Sequence, residues 1–267
     1  MEELSHIDLI DQAISLVAPR KCGKSHLLTH LLLETLKLKD DNETIIIVSV
    51  FCKSLIDSNL YFKLYLHVCI DLLGFSPSIQ AIKLIDKFEL KEHLTTQSAL
   101  AVTTNESDHT IKTILRTFII YLETQGYIQK KTVNNKIFRP CRFYFNGSIQ
   151  PSILTKLVNL NFKSTKSRKY IVIIDDVTAE LYKPIKKDIV FIYEQGRHHD
   201  LSVIVVDQYI RSTKVPPEIR LRSSYLMFRD YDETIKKEIC NACALNKNQL
   251  DNENIRNLIK EYYAIVI

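Results

Sequence analysis

Glycine is scarce in this chain: five glycines occur in 267 residues, whereas average usage of about 7% would give roughly nineteen. We therefore expect each glycine to serve a specific purpose. Long apolar runs are also missing, because candidates such as residues 118–122 are far shorter than the roughly 18 residues that cross a bilayer. The sequence thus predicts no membrane insertion. With 46% hydrophobic and 25% charged residues, a wholly disordered chain is excluded as well.

The sequence lacks the basic-then-apolar pattern of a secretory signal, since Met1 is followed by Glu2 and Glu3. We therefore expect the chain to stay in a reducing compartment, where its six cysteines are thiols. Cys240 and Cys243 form a CxxC pair, but no second pair stands at the spacing of a zinc site. Their pattern favours structural thiols over metal ligands.

Acidic residues are absent between Glu123 and Asp175. Ten basic residues occupy this gap, so a chain whose net charge is +5 carries about −5 outside it. Clustered cations with interleaved aromatic residues are typical of surfaces that contact the phosphate backbone of nucleic acid, although a solvated lysine-rich surface has the same composition. The predicted nucleic-acid contacts are Lys130, Lys131, Lys136, Arg139 and Arg142.

Short apolar runs rich in β-branched residues predict strands that are buried on both faces of a parallel sheet. Such runs lie at residues 13–18, 44–50, 170–174 and 201–206, with shorter ones at 225–228 and 262–267. A leucine-rich helical pattern at 26–38 follows the first run. Strands that alternate with helices imply right-handed β-α-β units, and the sequence therefore predicts an α/β layered fold with a mainly parallel central sheet.

The segment between the second and third major runs departs from this alternation. Residues 78–94 and 110–124 show helical periodicity, whereas 127–145 alternate as a hairpin would. We expect residues 1–74 and 165–267 to form the core. Residues 75–164 are then a helical and hairpin insertion that contains the basic segment and is not an independent domain.

Residues 18–25 read APRKCGKS and match the phosphate-loop pattern GxxxxGK[ST] except at Ala18. In such a loop, backbone N–H groups surround the β-phosphate, lysine reaches the β- and γ-phosphates, and the serine hydroxyl binds Mg²⁺. Alanine fits the first position only if its φ stays negative. The alternative is an ordinary strand-to-helix turn. The predicted nucleotide-binding residues are Pro19, Arg20, Lys21, Cys22, Gly23, Lys24, Ser25 and His26.

Two adjacent carboxylates, Asp175 and Asp176, end the apolar run that precedes them. Parallel strands present ligands at their carboxyl ends, so both residues are expected at the same sheet edge as the phosphate loop. Asp175 is predicted to hold the magnesium ion, and Asp176 to orient or deprotonate the attacking water. The alternative is a pair of turn carboxylates that cap the next helix.

A third element consists of a Gly-Arg-His sequence at residues 196–198, a strand, and Gln208 after it. Gln208 is predicted to sense the γ-phosphate, and Arg197 to act as a finger that completes a neighbouring subunit's site. Arg211, Arg220 and Arg222 compete with Arg197 for this role.

In this order, the motifs resemble those of the poxvirus-type DNA-packaging ATPases of the HerA/FtsK superfamily of P-loop NTPases. The resemblance covers the Gly-Lys-Ser loop at 23–25, the strand at 45–50, the Asp-Asp pair, the Gly-Arg-His sequence, Gln208 and the last two predicted strands. Together these regions span about half of the chain. Ala18 and the length of the insertion depart from the family pattern.

The resemblance implies a RecA/ASCE-like P-loop fold, ATP and Mg²⁺ as cofactors, and a homo-oligomeric, typically hexameric ring that moves double-stranded DNA into a capsid. Capsid or portal-vertex proteins are then expected partners, and the cytoplasmic virus factory of a host cell, or the virion, is the expected location. Two other functions stay open: a nucleotide kinase-like phosphotransferase, and a non-catalytic DNA-binding or capsid scaffold protein with a degenerate phosphate loop.

Overall fold

A computed structural model describes residues 8–18, 21–37, 44–52, 55–57, 59–95, 107–132, 135–147, 168–175, 179–207, 223–228, 237, 240 and 264–266. Its strands are β1 (Ala13–Val17), β2 (Ile45–Cys52), β3 (Phe75–Pro77), β4 (Ile128–Lys130), β5 (Cys141–Asn146), β6 (Arg168–Asp175), β7 (Leu201–Asp207), β8 (Tyr225–Phe228) and β9 (Ala264–Val266). Its helices are α1 (Lys24–Leu36), α2 (Asn59–Leu72), α3 (Ile79–Asp86), α4 (Ser107–Thr124) and α5 (Ala179–Gln195).

Seven strands form the central sheet in the order β5-β2-β6-β7-β1-β8-β9. All neighbours in it are parallel except β8 and β9. The predicted α/β class and mainly parallel sheet are therefore confirmed. The strand that leads into the phosphate loop, β1, and the strand that ends in Asp175, β6, are separated by β7. Because these strands are parallel, their carboxyl ends lie on the same side of the molecule.

Both faces of the sheet are buried, as the nearly continuous apolar runs predict. Alternate residues of β6 belong to two different cores: Ile171 and Ile173 pack with α1 and α2, whereas Val172 and Ile174 pack with Ile192 of α5. Helices therefore cover the sheet on both sides. Among the described residues, no helix has the length and apolar character of a membrane span.

The predicted insertion forms helices where helical periodicity was found, in α3 and α4. The predicted hairpin at 127–145 is wrong. Its first half, β4, pairs antiparallel with β3, and its second half, β5, pairs parallel with β2 at the outer edge of the central sheet. Period-two alternation identifies strands but does not specify their partners. A hairpin between β4 and β5 is expected only because the two strands are close in sequence.

Candidate nucleotide-binding site

The loop between β1 and α1 contains two residues in the left-handed region of backbone space. Lys21 has a φ of 63°, and Gly23 has a φ of 78°. Gly23 is also the N-cap residue of α1, and its carbonyl accepts a hydrogen bond of 3.0 Å from the N–H of Leu27. Glycine adopts this conformation without the steric cost of a Cβ. This explains one of the five glycines.

Ala18, the departure from the phosphate-loop pattern, fits the fold because its φ is not positive. The residue is 1% exposed, and its N–H donates a hydrogen bond of 3.1 Å to the carbonyl of Asp207 at the end of β7. Its methyl group therefore packs inside the protein at the start of the loop. The conformation that would require glycine does not occur here.

The Lys24 side chain folds back across the loop that precedes it. Its ammonium donates a hydrogen bond of 2.6 Å to the carbonyl oxygen of Ala18. The positive charge is thus held at the mouth of the loop, beside the N-terminus of α1, where the helix dipole also favours an anion. This arrangement places two sources of positive potential at one point.

Ser25 and Asp175 meet although 150 residues separate them in sequence. The hydroxyl Oγ of Ser25 lies 3.5 Å from Oδ2 of Asp175, at the hydrogen-bond limit. Asp175 is the last residue of β6 and is 7% exposed. The structure therefore brings the serine of the phosphate loop and the strand-end carboxylate to one place.

Tyr61 is a third member of this cluster that the sequence did not reveal. It lies on α2, is 1% exposed, and donates a hydrogen bond of 2.9 Å from its hydroxyl to Oδ2 of Asp175. Burial, and then the negative charge of Asp175, raise the pKa of Tyr61 well above its usual range. A buried tyrosine needs a partner for its hydroxyl, but the apolar pattern of α2 does not indicate which one.

The cluster fits a magnesium ion held together with a nucleotide. A serine hydroxyl and a carboxylate are hard oxygen ligands, and Mg²⁺ is usually bound by one or two such groups plus phosphates and water. Within the described part of the chain, no group of three or more His, Cys, Asp or Glu side chains is placed to hold a metal by itself. Among the described residues, Ser25 and Asp175 are the oxygen ligands that meet at this site.

Two other predicted residues lie in or next to the loop, and four fall outside the part of the chain that the structure describes. Cys22 is half-buried, and His26 is exposed on the first turn of α1. The structure does not describe Pro19, Arg20, Asp176 or Gln208.

Arg197 lies at the opposite end of the strands from the phosphate loop, near their amino ends. It belongs to a 3₁₀ turn directly before β7 and lines a polar pocket of about 400 Å³ with Asp11, Gln12 and Ser224, which precede β1 and β8. The five residues of β1, about 13 Å of strand, separate this pocket from the phosphate loop. Arg197 therefore lies away from the phosphate loop of this chain.

The five predicted nucleic-acid contacts differ in their exposure to solvent. Lys130, Lys136 and Arg142 are exposed. Lys131 forms an ion pair with the buried Asp71, and its side chain is 12% exposed. Arg139 is 7% exposed, and its backbone N–H donates a hydrogen bond to the carbonyl of Leu36 at the end of α1. Lys131 and Arg139 are thus largely buried, whereas the other three predicted contacts face solvent.

No protein-family model matches the chain, and no curated protein matches it. Among solved structures, it is similar to the genome packaging NTPase B204 of Sulfolobus turreted icosahedral virus 2 in complex with AMPPCP: 14% identity over 97% of this chain and 93% of the other, with a TM-score of 0.45. It is also similar to the DNA-packaging ATPase B204 of Sulfolobus turreted icosahedral virus, with 11% identity, coverages of 96% and 91%, and a TM-score of 0.44.

A DnaB-like replicative helicase is similar at 10% identity over 85% of this chain and 49% of the other, with a TM-score of 0.37. Similarities of this size leave the function to be inferred from the site itself.

Proposed function

We propose that this protein is a magnesium-dependent ATPase that couples ATP hydrolysis to the movement of double-stranded DNA, as a motor that packages a viral genome. The observation that supports the ATPase most directly is the 3.5 Å approach of Ser25 Oγ to Asp175 Oδ2. In an ordinary strand-to-helix turn, the residue at the position of Ser25 needs no carboxylate from another strand. The Oδ2 oxygen of Asp175 faces α1 and α2, on the side of the sheet where the phosphate loop begins the helix.

The described residues of the site bind the triphosphate and the metal in this proposal. Lys24 and the N-terminus of α1 neutralise the phosphate charge, and the loop N–H groups orient the phosphates. Ser25 and Asp175 would hold Mg²⁺, which would supply positive charge next to the phosphates. Tyr61 keeps Oδ2 of Asp175 in place through its hydrogen bond.

The remaining roles fall on residues proposed from sequence. Asp176 follows the metal-binding carboxylate directly and orients or deprotonates the attacking water. Gln208 follows β7 and senses the γ-phosphate. Arg197 acts on the site of a neighbouring subunit, which requires a homo-oligomer, and a hexameric ring is the arrangement that the motif resemblance implies. Arg197 lies near the amino ends of the strands, away from the phosphate loop of its own chain, so in this proposal it acts on the site of a neighbouring subunit.

Double-stranded DNA as the partner is supported by the concentration of positive charge between Glu123 and Asp175, where no acidic residue occurs. Packaging, a capsid or portal-vertex partner, and a location in a virus factory or virion follow from the motif resemblance alone. They form the most specific part of the proposal.

An ATPase assay with and without double-stranded DNA, combined with a mass measurement in solution, tests this function. We expect ATP hydrolysis that requires Mg²⁺, is accelerated by DNA, and belongs to an oligomeric form. Transfer of phosphate to a small acceptor without stimulation by DNA would indicate the phosphotransferase instead. Salt-dependent DNA binding without phosphate release would indicate the non-catalytic scaffold.

A further inference from the structure

A cationic cleft that was not evident from the sequence lies where α2 and α4 meet the outer edge of β5. Its volume is about 270 Å³. We call it the edge cleft, and its polar and charged lining includes Tyr65, Cys69, Lys112, Arg116, Arg142 and Tyr144. Three cations line this cleft, and none of its described lining residues is a carboxylate.

Two of the three cations form no ion pair with another described residue. Lys112 and Arg116 stand one turn apart on α4, on the same helix face. Asp108, a further turn back, forms an ion pair of 2.9 Å with Lys112. Within the part of the chain that the structure describes, neither Arg116 nor Arg142 forms a salt bridge, and both side chains are exposed. Their guanidinium groups are therefore available to an anion.

The edge cleft is held in shape by the elements that form it. The other carboxylate oxygen of Asp108 accepts a hydrogen bond of 2.8 Å from the N–H of Phe145, which fixes α4 to β5. Phe143 and Phe145 are buried, so the alternation of β5 turns Arg142 and Tyr144 outward. The cations are thus presented by rigid elements.

Tyr144 limits the kind of nucleic acid that suits this surface. The ammonium of Lys112 lies 4.3 Å from the centre of the Tyr144 ring, a cation–π contact. Single strands are usually bound by stacking bases on exposed aromatic rings. Here one ring face is already covered by a cation, and guanidinium groups suit phosphate oxygens through paired hydrogen bonds. The lining therefore favours contacts to a duplex backbone.

We propose that the edge cleft binds the phosphate backbone of double-stranded DNA through Arg116 and Arg142, with Lys112 supporting them. This inference rests on the proposed function for its partner, but it concerns a different part of the molecule. Four strand spacings separate β5 from β1, a distance of about 19 Å. Substitutions in the edge cleft therefore leave the nucleotide site intact.

The test compares two charge-matched variants of the full chain. One is Arg116→Gln with Arg142→Gln, and the control is Lys186→Gln with Lys187→Gln, two exposed residues of α5. Binding to a short duplex is measured over a series of salt concentrations. We expect the edge-cleft variant to bind about tenfold more weakly and to lose about 2 from the slope of log K against log salt, since each phosphate contact contributes about 0.9. The control variant keeps the parental slope.

Several outcomes would overturn the inference. These are an unchanged slope in the edge-cleft variant, an equal loss in the control variant, parental protein that binds no duplex, and a larger loss for single strands than for duplex. ATP hydrolysis without DNA is measured on the same samples and is expected to equal the parental rate. If the parental protein hydrolyses no ATP, the proposed ATPase fails, while the binding comparison still decides the role of the edge cleft.

Discussion

The hydroxyl of Tyr61 donates a hydrogen bond of 2.9 Å to Oδ2 of Asp175, the same oxygen that Ser25 Oγ approaches at 3.5 Å. One carboxylate oxygen at a strand end is thus contacted by side chains of α1 and α2. Because burial and the charge of Asp175 raise the pKa of Tyr61, its hydroxyl stays protonated and remains a donor throughout the neutral range. Tyr61 acts as a positioning residue for the proposed metal ligand.

Tyr61→Phe is expected to lower kcat/KM for Mg-ATP by about ten- to a hundredfold, because a hydrogen bond to a charged group contributes roughly 1.5–3 kcal/mol. Loss of the donor disfavours the ionised carboxylate, so turnover is expected to begin to fall at a higher pH on the acid side. The measurements are pH–rate profiles and Mg²⁺ titrations of both proteins. A purely structural role would lower the melting temperature and leave the pH profile unchanged.

Lys24→Ala and Asp176→Asn are expected to abolish turnover while the protein still folds. The first removes the ammonium from the phosphate loop, and the second removes the group proposed to act on water. Single-turnover ATP hydrolysis and a thermal melt measure the two effects separately. Hydrolysis at the parental rate in either variant would show that the role assigned to that residue is wrong.

Ala18→Gly restores the usual phosphate-loop pattern, yet we expect it to lower stability by about 1 kcal/mol and to leave nucleotide affinity unchanged. The buried methyl group is lost, and the φ at this position does not need glycine. Denaturant unfolding and nucleotide titration are the measurements. A substantial gain in affinity would mean that the nucleotide-bound loop adopts a left-handed conformation at residue 18.

Asp71→Asn is expected to destabilise the protein by about 3–5 kcal/mol, since it leaves the ammonium of Lys131 buried without its counter-charge. The Asp71 carboxylate also accepts hydrogen bonds from the N–H groups of Ile137 (2.9 Å) and Phe138 (3.1 Å). Asp108→Asn, at a more exposed ion pair, is the control, with an expected loss of about 1 kcal/mol or less. Equal losses in denaturant unfolding would contradict a structural role for Lys131.

Gly196→Ala is expected to destabilise the protein by about 1–3 kcal/mol through overpacking. A Cβ at this position would lie 2.6 Å from the carbonyl oxygen of Leu201 and 3.0 Å from Cγ2 of Ile192. Gly126→Ala is a useful comparison, because its φ is +70° but a Cβ would meet nothing within 4 Å. If Gly196→Ala has the melting temperature of the parental protein, the turn before β7 relaxes without a loss in the free energy of unfolding.

Much of the fold and part of the site could be predicted because their signals are local. The apolar runs that became β1, β2, β6 and β7 needed only their own residues to be recognised, and strand polarity then placed the phosphate loop and Asp175 at one sheet edge. The pairing of β5 with β2 could not be predicted in this way. A parallel pair joins segments distant in sequence, and no local pattern specifies which strands become neighbours.

The sequence by itself determined the loop chemistry, the acidic strand end and the α/β class, since each depends on residue types within a short window. Only the tertiary structure decided that Tyr61 contacts Asp175, that Lys131 and Arg139 are sequestered, that Arg197 lies far from its own nucleotide site, and that Lys112, Arg116 and Arg142 share one cleft. The physical reason is that burial and side-chain partnership depend on how separate elements pack, which charge and periodicity along the chain do not encode.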